Sequence, residues 1–589
     1  MRLSLIAIVR KGETTVCNFR TKIGSISTSV LLALFVTACG PQAQQATGAA
    51  TPENNLQRDT KTIELAKQRG GKLTAPTGAF GNPNDPHLPA TATGRSYSQP
   101  ITNGILKRDV YDKNYGIIPD LAKSWEVSTD GKTYTFKFNQ GVKFHNLPPV
   151  SGREFTSEDA KYSIMRVTAD PSVIVAKWKP RFQRAIDFGE VASIDTPDKY
   201  TLIVNLKNAY APFLDAIAHP GTQVLPREFV EQFPEKIITE GAIGTGPFMA
   251  GEFKHNVIAT YKRNPDYWKK DASGGQLPYL DEVASPHFAD TQTQMASFRA
   301  RQLDFTGSFT GADLNEATLN SIVKDNPGVQ VLRTPGANIA TLRFNTKVKA
   351  FQDPRVRRAF HLAIDRHQLL ELVTEGVGVL SGPVTNPIFP ELANTTDWLL
   401  QQPGYRKDKT QDLTEAKRLM KEAGYENGLE LGLLNWANSS SDTWASLLAD
   451  QLKAINVMLK NETVDYAGVW VPRATNGEFD FTVMTHTVGT DVDSVISAHL
   501  LSGAPRNYGK FSSERLDGLL VKERLATTTE ERRKWAQEAE NVILEEAPML
   551  FIYTNVYRMM AQPWVHNIAN GWIIGTNTYQ LEHAWLDNH

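Results

Sequence analysis

Alternating and helically spaced apolar positions divide the chain into interleaved strands and helices. Gly71-Lys72-Leu73 suggests an opening strand. Trp125-Glu126-Val127-Ser128 and Tyr134-Thr135-Phe136-Lys137-Phe138 alternate apolar with polar side chains. Asp130-Gly131 between them offers the positive φ of a two-residue turn, so a hairpin is predicted. Tyr200 to Leu206 alternates again. Thr156-Ser157-Glu158-Asp159 opens a helix carrying Ala160, Ile164 and Val167. Asp353-Pro354 starts another, with Asp at the cap, Pro in the first turn and Val356, Phe360 and Ala363 on one face. Asp365 to Gln368 has the capping spacing of a following helix that should end near Gly376. Asp412 to Glu415 opens a third, with Leu413, Ala416, Leu419, Met420 and Ala423 at helical intervals and Gly424 as its stop. No short internal repeat interrupts this mixture.

Composition narrows the class. The 589 residues carry 63 basic and 64 acidic side chains, a net charge of −1 that excludes a generally basic nucleic-acid binder. A hydrophobic fraction of 41% supplies a large core and excludes a disordered chain. The two cysteines, Cys17 and Cys39, lie in the first forty residues, so no disulfide framework or thiolate zinc cluster is expected in the body.

The beginning of the chain reads as a secretory signal over residues 1–38. Arg10, Lys11, Arg20 and Lys22 are basic, Ile23 to Ala38 is uncharged, and the run ends at Val36-Thr37-Ala38-Cys39-Gly40. The apolar run is short for a membrane span and is diluted by Ser25, Ser27, Thr28 and Ser29. Val36-Thr37-Ala38-Cys39 resembles a bacterial lipobox, which implies lipidation of Cys39 and a membrane-anchored lipoprotein, periplasmic or on the cell surface. An ordinary signal peptide cut nearby is the alternative. Residues 40–60 hold no aromatic residue and one large aliphatic, Leu56, too little to repay their ordering, so a flexible tether is expected over 39–69.

Several phrases occur in an order that resembles one family. They include Asp85-Pro86-His87, Pro119 to Val127, Asp130 to Phe136, Gly141-Val142-Lys143-Phe144-His145 and Gly244-Thr245-Gly246-Pro247-Phe248. Arg263 to Trp268, Leu277 to Asp281, Phe344-Asn345-Thr346, and Asp353 to Ala359 with Ala363 to Arg366 follow. Together they resemble family 5 of the extracytoplasmic solute-binding proteins, the oligopeptide- and dipeptide-binding components of ABC importers. The resemblance implies a mixed α/β, periplasmic-binding-protein-like fold of two lobes, type II, with an extra subdomain in the first lobe. Residues 70–106, 236–337 and 554–589 would form lobe I, 107–235 the subdomain, and 338–553 lobe II. Ligand would bind between the lobes, and closure would bury it.

Most of these phrases read as structural. Trp125 and Phe136 suit core packing. Gly244 to Pro247 suits a turn that needs glycine dihedrals, and Arg355, Arg357 and Arg358 suit a solvated helix face. The stretch Phe479 to Asp493 is the informative one. The resemblance places Val488 where peptide-binding relatives carry the Asp that meets the α-ammonium, and Thr485 where they carry Trp. A shift of the alignment by one gap would bring Asp491 into the role. Peptides therefore stand beside sugars, opines, metal chelates and cationic compounds as candidate solutes. Candidate ligand-binding residues are Phe80, Asp85 and Tyr97 after the first strand, Asn345, Trp436 at the end of the run from Leu429, and Thr485, His486, Thr487, Asp491 and Asp493.

An enzyme would need a catalytic constellation, and neither HExxH nor Gly-x-Ser-x-Gly occurs. The expectation is a monomeric, non-enzymatic receptor without cofactor or metal. Its partners would be a small solute and an ABC permease, with membrane contact through a lipid. A hydrolase or a chaperone on the same scaffold is the alternative.

Overall fold

The computed structural model describes residues 69–76, 85–88, 97–112, 115–174, 182–239, 241–306, 314–437, 440–487, 489, 491–568 and 580–587. The signal and lipidation readings at 1–38 and Cys39 lie outside the described residues, as do Phe80 and Val488 and most of the tether.

The strands referred to below are β1 (Lys72–Thr74), β2 (Leu106–Arg108), β3 (Ile117–Pro119), β4 (Ala122–Val127), β5 (Thr133–Phe138), β6 (Val191–Asp198), β7 (Thr201–Leu206) and β8 (Phe248–Lys254). They continue as β9 (Ile258–Arg263), β10 (Glu282–Pro286), β11 (Gln330–Phe344), β12 (Val379–Leu380), β13 (Leu429–Trp436), β14 (Val457–Val464), β15 (Phe481–Thr487) and β16 (Met549–Ala561). The helices used are α1 (Ser157–Val167), α2 (Phe213–Ala218), α3 (Pro354–Ala363), α4 (Arg366–Thr374) and α5 (Thr410–Glu422). Further on come α6 (Ser441–Lys453), α7 (Val471–Asn476), α8 (Glu514–Leu525) and α9 (Thr529–Glu546). The mixed strand-and-helix class expected from the sequence is present.

Three sheets organise the body: β1-β10-β9-β8, β4-β5-β7-β6 and β12-β16-β11-β15-β13-β14. The first packs a core of Leu73, Tyr261, Val283, Met559 and Ala561. The second, between residues 122 and 206, packs Phe136, Phe138, Leu202 and Val204 against Ile164 of α1 and Phe213 of α2. The third buries Leu342, Phe344, Leu431, Phe481 and Leu550 against Val356 and Phe360 of α3 and Leu448 of α6.

β11 and β16 each serve both the first core and the third. Leu332 and Met559 belong to the first core, and Leu342 and Leu550 to the third. Their antiparallel register jumps between Pro335 and Ile339. At the jump Gly336 lies so near Tyr557 that an added Cβ would stand 2.0 Å from the ring. Asn338 donates to the Tyr557 hydroxyl there at 2.6 Å.

The local signals act as their chemistry predicts, with informative differences. Asp353 and Asp365 accept from the Arg355 and Gln368 amides and cap α3 and α4. α4 stops at Thr374 because Glu375 already turns left-handed, with Gly376 continuing at positive φ. α5 starts at Thr410, ahead of Asp412. Asp412 is buried instead, accepting from the Gly404 amide and the Lys409 ammonium. The β4–β5 connection is longer than two residues. Val127 pairs with Tyr134, and only Gly131 takes positive φ, while the Asp130 side chain accepts from Ser128 and Lys132.

Two structural readings need correcting. Gly244 and Gly246 are not among the residues with positive φ. Their need is closeness, since a Cβ at either would stand 2.3 to 2.5 Å from the Ile101 carbonyl oxygen. Of the three arginines on α3, only Arg355 is solvated, paired with Asp353. Arg357 is buried and donates to the Phe351 and Glu546 carbonyls, and Arg358 donates to that of Leu544. These guanidiniums satisfy carbonyls left bare at helix ends.

Candidate functional site

β13 and β14 run parallel from Leu429↔Val457 to Trp436↔Val464, and β15 runs parallel to β13. The carboxyl ends of all three therefore emerge on one edge of the sheet, the edge where open α/β sheets bind ligands. Trp436, Val464 and Thr487 mark it.

β15 is paired unequally. Its β11 side is bonded along its whole length, from Phe344↔Phe481 to Asn338↔Thr487. On the other side β13 pairs with it only at Leu433↔Phe481 and Leu434↔Thr482. Beyond Thr482, no strand among the described residues covers that side of β15. A strand edge with no partner strand can take an extended chain by main-chain hydrogen bonds.

Beside it stands an aromatic stack. β14 leads into one π-helical turn, Tyr466–Trp470, whose cap Asp465 accepts from the Gly468 amide at 2.6 Å. Trp470 is buried, and its Nε1–H donates to Thr482 Oγ1 at 3.3 Å. The Tyr466 ring lies 15° from parallel to Trp470 with centroids 5.5 Å apart. Trp436 meets Trp470 edge-on at 5.0 Å. The stack is anchored at Trp470 and open at Tyr466, which is 51% exposed. Such a face offers π-surface to a flat group.

After β15, two carboxylates are clasped by guanidiniums. Arg532 bonds Asp491 Oδ1 and Glu523 Oε1, each at 2.6 Å. Arg524 holds both oxygens of Asp493, at 2.6 and 2.9 Å. Asp491 Oδ2 is buried without a hydrogen-bond partner.

The predicted site residues separate into groups. Trp436, Thr485, His486 and Thr487 lie along the carboxyl edge, with Thr485 exposed. Asp491 and Asp493 follow directly. Asn345 lies at the opposite edge, because β11 runs antiparallel to β15. Its amide donates to the Gly477 and Phe479 carbonyls, both at 2.9 Å, and so ties a turn. Asp85 is fully buried, paired with Arg166 and accepting from the His87 amide. Burial alone would raise its pKa, but Arg166 and His87 outweigh that and hold it below the ordinary aspartate value. Tyr97 is buried in the first core, 4.7 Å from Phe253 and 5.5 Å from Tyr261. Tyr466, Trp470, Arg524 and Arg532 were not candidates from the sequence. The parallel pairing of β13 and β14 is the signal that brings Tyr466 beside Trp436.

No group of His, Cys, Asp and Glu among the described residues is arranged to hold a metal ion. No helix among them is long and apolar enough to cross a membrane.

Residues 116–508 match the model of the family described as bacterial extracellular solute-binding proteins, family 5 Middle. The chain is 28% identical over 452 residues to heme-binding protein A of Haemophilus influenzae, covering 74% of this chain and 78% of that one. It is 27% identical over 459 residues to the dipeptide-binding protein of Escherichia coli, covering 74% and 80%. Its fold matches that of HbpA2 from Haemophilus parasuis with a TM-score of 0.73 at 23% identity, over 88% of this chain and 100% of that one. A Helicobacter pylori ABC transporter-associated periplasmic binding protein in complex with the peptide STSA matches at 0.71 and 22% identity, over 89% and 100%. At these identities the solved structures establish the fold, that of the periplasmic binding proteins.

Proposed function

Because the chain belongs to family 5 of the bacterial extracellular solute-binding proteins, we propose that it captures a peptide or peptide-like solute for an ABC importer. In this reading a lipid on Cys39 holds it at the membrane outside the cytoplasm, and residues 39–69 act as its tether. The solute lies between two halves, and β11 and β16, which run from one core to the other, are the hinge. The register jump at Pro335–Ile339 gives that hinge a place to bend.

The side of β15 left unpaired by any described strand beyond Thr482 carries the reading. An extended peptide satisfies it with main-chain bonds, Thr485 to Thr487 serving as the docking strand. Trp436 and Tyr466 take a side group by stacking, and Asp491 supplies an anionic oxygen. Asp85, Tyr97 and Asn345 are occupied by structural contacts, so they are left out of the contact set.

A second reading is a non-peptide solute with a flat ring system. The open Tyr466 face favours it, and so does the name of the Haemophilus influenzae relative.

Thermal unfolding with a panel of di- and tripeptides, and with hemin, tests both. A solute at about a hundredfold excess over its Kd stabilises the protein by about 2.7 kcal/mol. Stabilisation by peptides supports the first reading, and by hemin alone the second. A panel that leaves the unfolding temperature unmoved, with no solute seen by native mass spectrometry, overturns both.

A further inference from the structure

Residues 207–215 and the α8–α9 pair meet at a seam rich in charge. The Ala211 amide donates to the Arg524 carbonyl across it at 2.8 Å. The Arg524 guanidinium, held by Asp493, lies 6.0 Å from the centre of the Tyr210 ring. Arg108 of β2 pairs with Asp215 of α2 and also feels Asp491 and Glu391. Arg532 of α9 bridges Asp491 and Glu523. Apart from Glu391, which is exposed, and the Arg184–Asp187 pair near Tyr210, which balances itself, the seam among the described residues sets Arg108, Arg524 and Arg532 against Asp215, Asp491, Asp493 and Glu523. That is one carboxyl more than there are guanidiniums. Glu523 is fully buried, and its Oε2 has no hydrogen-bond partner.

We propose that Glu523 is a proton-operated latch on this seam. With its carboxyl protonated the charges balance and the seam stays shut, and with the carboxyl ionised the seam opens more readily. This rests on the hinge reading above and adds regulation to the same site.

The proton has a place on Oε2, which leaves the Oε1 bond to Arg532 intact. The groups that face Glu523 are Arg532 of α9, Asp491 and Asp493 after β15, and Arg524 on its own helix. Beyond them, Tyr134 of β5 and Arg108 face Arg532, and Tyr210 faces Asp493 and Asp491. Burial, with Asp491 and Asp493, raises Glu523 to about 7 against the pull of Arg532. A carboxyl raised in the shut form favours that form at low pH, and the advantage is lost as pH rises through about 7. Solute would be held more firmly on the acid side of neutrality.

The test is hydrogen exchange at the Ala211 amide in the solute-free, full-length chain, corrected for intrinsic exchange and referenced to Leu342 in β11. Between about pH 6 and about pH 8 exchange should quicken about tenfold in the natural protein. In Glu523→Gln, which keeps an acceptor for Arg532 and carries no charge, it should stay slow at both. Equal exchange at both pH values in the natural protein overturns the proposal, even if the variant does not fold. So does a quickening that persists in the variant. No solute enters the readout, so the latch can fail while solute capture succeeds, and the reverse.

Discussion

Asp85, Arg166 and His87 form a buried group in which each polar atom depends on the others. Arg166 Nη1 contacts Asp85 Oδ1 and His87 Nδ1, both at 2.9 Å, and His87 Nε2 contacts the Gln223 carbonyl at 2.7 Å. Removing the cation strands a buried carboxylate, so Arg166→Ala should cost about 3–5 kcal/mol in denaturant unfolding. Burial, joined at His87 by Arg166, lowers His87 and His145 from 6.5 to about 4. Both stay neutral in the fold where the unfolded chain would protonate them. Stability should therefore fall as pH drops from about 6.5 towards about 4, a trend opposite in sign to that of Glu523. Unfolding midpoints measured across that range check it, and a flat curve contradicts it. The sequence is legible at this scale where a side chain acts within its own turn, as Asp353 and Asp365 do. It is silent where the partner is remote: Gly246 is needed by Ile101, and Arg366 donates to the Phe551 carbonyl.

At the scale of elements, strand direction decides what assembles. Asn345 directly follows β11 and Trp436 ends β13, but β11 opposes β15 while β13 runs with it, so the two residues fall on opposite edges of one sheet. Periodicity finds the strands and carries no sign of their direction, which is why Asn345 stood beside Trp436 as a candidate and Tyr466 did not. In the peptide reading, Trp436→Ala and Tyr466→Ala should each weaken capture about tenfold, measured by titration calorimetry. Tyr466→Ala should leave the unfolding temperature nearly unchanged, because the ring is 51% exposed. At the register jump between β11 and β16, Gly336→Ala drives a methyl into the Tyr557 ring and should cost about 1–3 kcal/mol of stability. An unaltered unfolding midpoint would mean that the ring yields freely.

At the scale of the whole molecule, the sequence conveys the mixed class and the family, because ordered phrases survive where individual contacts cannot be read. The change of core along β11 and β16 is not readable, since an apolar side chain carries no sign of which sheet's core it enters. If these strands are the hinge, a saturating solute should reduce the radius of gyration in small-angle scattering while raising the unfolding temperature. Stabilisation without contraction would place the solute elsewhere.

The first core also has a consequence in time. β1 at residues 72–74 pairs with β10, and the same core needs Met559 and Ala561 of β16, with Leu581 and Leu586 beyond it. Among the described strands β1 is made first, and its core waits for side chains made long after it. Such distant partners make closure of this core a late event. A nascent chain that stops before residue 549 would keep its opening segment unsealed, pliable and open to any machinery that handles extended polypeptide.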